Sequence, residues 1–285
     1  MFQPEPRSIG PNSLLWRYAG DQRLGFVGLA TGILQLMHPG IGAGVAQHSA
    51  FFTEPWDRIQ RSMPLILGVI YNEDAENTGN SVREFHRGIK GKTEHGEAYS
   101  ALRPETFWWA HATFQWAVFQ LIDRFDNHRL TDAERESLYL DGIEWYRRYG
   151  MGMDPVPPTY AEFVDKWEYY CREVLELNVA SSRSLDMALH EKVSDMPGLP
   201  GWSNPLQREV LTPLLRLTAI GGLPRTVRKR FDLPWGRHEE LQMKGLELWV
   251  RQNWRFVPRH LRYAPTALAG KDRVRNERRS LAHAS

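Results

Sequence analysis

Apolar positions recur along this chain at helical spacing, and the runs are separated by short breaks rich in Pro, Gly and Asp, a pattern of helices joined by turns. Between residues 24 and 53 no Asp, Glu, Lys or Arg occurs. Pro39 and Gly28, Gly32, Gly40, Gly42 and Gly44 interrupt that run. It therefore reads as a buried helix over 26–37, a turn at His38-Pro39-Gly40 and a second helix, rather than a membrane span. A helix over 57–69 follows, then one over 75–90 whose Val82, Phe85 and Ile89 form a stripe with His86 on its edge. After a connector over 91–101, Pro104-Glu105 opens a long helix over 105–127, with Trp108, His111, Gln115 and Phe119 on one face. Thr131-Asp132-Ala133-Glu134 and Thr159-Tyr160-Ala161-Glu162 are capping boxes, predicting helices to residues 149 and 177 on either side of the break at 154–158. Helices over 182–193, 207–220, 224–231 and 237–256 complete the set before Pro258 and Pro265. Strand-like alternation is not evident.

The prediction is a single all-α globular domain of about ten helices around a buried cofactor pocket, over residues 15–268. Residues 1–14 read as an extended leader, with no basic-then-apolar run of a signal or transit peptide. Residues 269–285 read as a basic, disordered tail, since 271–285 holds five basic and two acidic side chains and few apolar ones. With 25% charged and 42% hydrophobic residues the composition is that of an ordinary globular protein. A formal net charge of +2 argues against nucleic acid as partner. The lone cysteine, Cys171, forbids an intrachain disulfide, so a cytoplasmic location is expected, with at most a peripheral membrane contact. The abundance of 11 Trp, 10 Tyr and 12 Phe suits a large core or a pocket for a flat, bulky ligand.

Several motifs fail on spacing. Gly91-Lys92-Thr93 ends like a phosphate-binding loop, but the first glycine would have to be residue 86, which is His86. A dinucleotide fingerprint starting at Gly40 and Gly42 would need its third glycine at Val45. Glu-x-x-His, His-Glu-x-x-His and Gly-x-Ser-x-Gly are all missing, which removes the di-iron, zinc-protease and hydrolase-elbow signatures. Haem remains as a cofactor that asks a helical, aromatic-rich chain for as little as one axial side chain. His86 and His111 are the candidates, with Cys171 a weaker one. On the residues alone, a hydrogen-bonded core histidine is the plain alternative for both.

Five pieces occur in order: His38-Pro39, Arg58-Ile59-Gln60-Arg61-Ser62, His86-Arg87-Gly88-Ile89-Lys90-Gly91, Tyr99-Ser100-Ala101 and Trp109-Ala110-His111-Ala112-Thr113. This succession, with the later Leu223-Pro224-Arg225-Thr226-Val227-Arg228, resembles the oxygenase family of MpaB-type prenyl-chain oxygenases and latex clearing proteins (rubber oxygenases) over residues 15–265. The resemblance implies a helical protein that holds haem b through a histidine and uses dioxygen to cleave a C=C bond in isoprenoid-like chains to carbonyl products. It implies His86 as the axial iron ligand, with His111 the alternative. It also implies Arg58, Arg61 and Ser62 as catalytic side chains on the oxygen-binding side. Ser62 stands where the family has Thr, and Arg61 where latex-type members have a lysine, which as a guanidinium cannot be a neutral ligand. Lys90, His111 and Thr113 are expected around the cofactor, and Glu54 is a minor candidate for a general base.

The function expected is a haem-b-dependent oxygenase acting with dioxygen on an apolar, unsaturated, isoprenoid or lipid-like substrate. Its rivals are a haem sensor or carrier without turnover, and a haem-free helical binder of an apolar ligand.

Overall fold

The computed structural model describes residues 5–49, 52, 55–193, 195–196 and 198–284. Residues 5–13 carry no helix and lie against the body of the protein, where Arg7 pairs with Asp141 at 3.3 Å and Ile9 is buried. A short α1 (Leu14–Tyr18) is capped by Ser13 and leads into the charge-poor pair α2 (Gly25–Leu36) and α3 (Pro39–His48). The pair is bent by 97° at His38, and no single helix among the described residues is long and apolar enough to cross a membrane. The bend is a packing device. A methyl group at Gly42 would collide with the Asn178 side chain and the Leu36 carbonyl, so only glycine lets α3 turn so tightly.

Next come α4 (Pro55–Tyr71) and α5 (Ala75–Phe85), which pack together, and then a two-stranded hairpin. Its strands β1 (Lys90–Lys92) and β2 (Ala98–Ser100) are antiparallel, with Gly91 opposite Tyr99. The helix expected to reach residue 90 stops at Phe85, and the expected connector holds the hairpin. Strands of three residues are too short to register as alternation.

The centre of the fold is α6 (Pro104–Phe125), buried along almost its whole length. Its Trp109 lies between Trp167 at 4.8 Å and Tyr170 at 4.7 Å, and Trp116 continues the stack on Trp167 at 5.0 Å. The Trp109 indole N–H is satisfied by the Leu34 carbonyl at 3.0 Å, so this aromatic core leaves no donor stranded there. Around it pack α7 (Asp132–Arg147), opened by the capping box of Thr131 and Glu134, and α8 (Tyr160–Tyr169), capped by Thr159. The latter runs on as a π turn, Tyr170–Val174. Then follow α9 (Val179–His190), a three-residue α10 (Asn204–Leu206), α11 (Thr212–Gly221), α12 (Arg225–Arg230), α13 (Arg237–Asn253) and α14 (Arg259–Arg262).

The chain closes with α15 (Pro265–Ala284), which covers the stretch read from composition as a solvated tail. It packs on α4. Ala267, Gly270, Lys271 and Val274 recur at helical spacing toward the protein, and a Cβ at Gly270 would crowd the Tyr71 carbonyl at 2.8 Å. Two of those four are small and one is charged, which hid the packed face from a hydropathy reading. The observed architecture is a single all-α domain with one minor hairpin.

Candidate functional site

Asp74 caps α5 by accepting from the Asn77 backbone N–H, and the helix ends when His86 takes the C-cap position just before Gly88. His86 is half-buried, and its Nδ1 donates to the Val82 carbonyl one turn back, at 2.7 Å. A carbonyl can only accept, so that bond fixes the neutral imidazole as its Nδ1–H tautomer and leaves the Nε2 lone pair bare. The ring meets the edge of Phe107 at 5.8 Å, at the first turns of α6. Ile89 N–H closes back on the His86 carbonyl at 3.1 Å, so the hairpin begins directly beside this ring.

His111 lies one turn further along α6 and is buried. Its Nε2 donates to the Gly142 carbonyl at 2.9 Å, tying α6 to α7, and its Nδ1 has no hydrogen-bond partner among the described residues. Trp145, Tyr146 and Tyr149 enclose it at 4.8, 5.2 and 5.9 Å. Burial, opposed only by that carbonyl bond, pushes its pKa down to about 3, so the ring is neutral. Phe107 also touches Tyr149, at 5.2 Å, so the two histidines border one aromatic cluster from opposite sides. The sequence pointed to both histidines but not to Phe107 or Tyr149. The cluster is assembled from the end of α5, the start of α6 and the end of α7, and no local spacing announces it.

The three α4 candidates point to different surroundings. Arg58 is half-buried and donates to Ser49 Oγ, and burial, then the neighbouring Arg61, lowers its pKa. Arg61 is exposed and pairs with Asp57 at 3.1 Å. Ser62 is half-buried on the turn that follows. Lys90 opens β1 and is exposed, and its carbonyl accepts from His48 Nε2 at 3.3 Å. Thr113 is buried away from the cluster; its hydroxyl donates to the Ala110 carbonyl and accepts from Gln35, both at 2.8 Å, joining α2 to α6. Glu54 lies outside the described residues.

His38 caps the bend before α3, stacked on Tyr170 at 6.2 Å. Its Nδ1 has no partner among the described residues, and burial, then Arg103, pushes its pKa down to about 4. Cys171 is buried in the π turn, where burial pushes its thiol pKa up, the opposite of what a thiolate ligand needs. Among the described residues no three His, Cys, Asp or Glu side chains converge on a common point. A cleft of about 570 Å³ at the other end of α6 is walled by Trp116, Trp167, Arg124 and Arg228 and carries no histidine.

The domain is all-helical, and His86 and His111 border one aromatic cluster, with no multi-ligand metal group among the described residues. The chain is a member of an oxygenase family: residues 16–252 match the family described as ER-bound oxygenase mpaB/B'/rubber oxygenase, catalytic domain. That match spans the helices from α1 to the last turn of α13 and includes every candidate residue discussed above. No curated protein and no solved structure matches the chain.

Proposed function

We propose that this chain holds haem b through His86 Nε2 and uses dioxygen to oxidise an apolar, unsaturated substrate of isoprenoid or lipid-like kind, at a C=C bond that yields carbonyl products. The observation that carries the assignment is the His86 hydrogen bond: Nδ1–H held by the Val82 carbonyl at 2.7 Å orients the ring and, in the neutral imidazole, places the donor lone pair on Nε2. A porphyrin brings four nitrogens of its own, so one such imidazole is a sufficient protein donor. His111 is the weaker candidate, because its Nε2 is committed to Gly142 and its ring is closed in by three aromatic side chains.

Haem iron, when bound, supplies the activation of dioxygen. The chain's own part is positioning and charge. Arg58 is a permanent cation held half-buried on the helix that packs against α5, where it can balance a carboxylate of the cofactor or negative charge developing on oxygen. Ser62, one turn along, offers a hydroxyl to the same side of α4, and Arg61 is directed to solvent by Asp57 until another anion competes for it. Lys90 is a cation beside the His86 end of α5, suited to a haem propionate. Phe107 lines one side of His86 with apolar surface, and Tyr149 backs Phe107.

The test is oxygen uptake by haem-loaded protein offered long-chain olefins and their saturated analogues. Uptake and carbonyl formation with the olefins alone, abolished in the His86→Ala variant, are expected. Haem-loaded protein that consumes no oxygen with any of the olefins would overturn turnover and favour a carrier.

A further inference from the structure

A second, differently built site lies between α1 and α15. It is a groove of about 480 Å³ lined by Arg17, Lys271, Arg275, Arg278 and Arg279, with the Trp16 side chain in its wall and no acidic residue lining it. On α15 these cations fall at i, i+4, i+7 and i+8, so they stand on adjacent turns of one face, where like charges repel. The neighbouring arginines are neutralised: Arg273 on the same helix lies 3.4 Å from Glu73, and Arg259 of α14 holds Asp272 at 2.8 Å. Arg275 reaches Asp272 only at 4.0 Å, and Arg278 and Arg279 have no acidic partner among the described residues. The helix dipole tolerates cations in the last turns but supplies no counter-anion for them.

Lys271 is anchored at the inner end of the row, donating to the Trp16 carbonyl at 2.7 Å and lying over the Tyr263 ring at 4.8 Å. Burial pushes its pKa down to about 8, with Asp21 opposing and Arg259 and Arg17 adding to the fall. Val274 packs inward against the core, whereas Leu281, beyond the cations near the end of the helix, is exposed. A row of unneutralised cations on a surface helix, ending beside one exposed apolar side chain, suits the headgroup region of an anionic bilayer, where the cations meet phosphates and Leu281 reaches the acyl boundary.

We propose that the α1–α15 groove docks this protein on the surface of an anionic phospholipid membrane. The charge-free segment around α2 and α3, the first place to look for lipid contact from the sequence, is largely buried in the fold and does not provide that surface. The proposal does not depend on haem.

The full-length protein is sedimented with vesicles of phosphatidylcholine alone and with vesicles containing about one-third phosphatidylserine, at about 0.1 M and 0.5 M salt. Binding to the anionic vesicles only, weakened at the higher salt, is expected. Each basic side chain at such a surface contributes about fivefold in partitioning, so Arg275→Gln/Arg278→Gln/Arg279→Gln should lose about a hundredfold. The control Arg172→Gln/Arg208→Gln/Lys229→Gln removes the same charge from exposed positions elsewhere and should bind like the parent. Circular dichroism of both variants establishes that they are folded. Equal binding to both vesicle types, equal losses in the two variants, or displacement from anionic vesicles by inorganic phosphate or an RNA oligonucleotide at matched charge would each overturn the membrane assignment.

Discussion

His86 and His111 stand on the same aromatic cluster and differ in which ring nitrogen a carbonyl claims. At His86 the claim on Nδ1 leaves a half-buried Nε2 for a ligand; at His111 the claim on Nε2 leaves Nδ1 stranded among aromatic rings. Stability should record the buried rings. His38 and His111 have folded-state pKa values of about 4 and about 3, below the unfolded value of about 6.5. The unfolded chain therefore binds more protons between these limits. The stability contributed by keeping each ring neutral is full above about pH 6.5 and is lost as pH falls toward the folded values. Near pH 5 the loss is about 2 kcal/mol per histidine. Urea midpoints measured from pH 7.5 down to 4.5 should fall steeply, and a His111→Gln variant should show a shallower slope. A slope unchanged by the substitution would remove His111 from the account. In the core, Trp109→Ala removes the middle ring of the Trp167 and Tyr170 stack and should cost about 3–5 kcal/mol, read as a lowered melting temperature.

At the scale of elements, what was legible in the sequence was what short-range chemistry dictates. Thr131 with Glu134, Thr159 with Glu162 and Pro104 each start a helix within a residue of the expected position, because capping and proline geometry act over one turn. Thr131→Ala should cost about 1 kcal/mol in chemical unfolding. The hairpin and α15 were illegible for different reasons. The hairpin is held by contacts distant in sequence: Gly91 lies close against Gln47, and Tyr99 donates to Gln47 at 2.8 Å. The packed face of α15 includes Ala267 and Gly270, whose worth lies in close approach to Gly20 and Tyr71 and not in hydrophobicity. Gly270→Leu should therefore overpack that contact, cost about 1–3 kcal/mol and raise amide exchange along α15. Unaltered exchange would mean that α15 is not docked there.

On the scale of the whole molecule, the ordered motifs from His38 to Arg228 made the family and the all-α class legible from the chain, since their succession is a property of sequence alone. The assembly of the site was not. Phe107 and Tyr149 reach His86 and His111 only through the packing of α5, α6 and α7, and Arg61, adjacent to Ser62 in sequence, turns to solvent and Asp57. The claim on which the oxygenase reading rests is that His86 Nε2 is the protein's bond to haem. It is tested most directly by titrating haem into the purified protein and into His86→Gly and His111→Ala variants while following the Soret absorption, with imidazole then added to each. A stoichiometric Soret band in the parent and in His111→Ala, lost in His86→Gly and restored there by imidazole, is the predicted result. A band that survives unshifted in His86→Gly, or one lost only in His111→Ala, would contradict it.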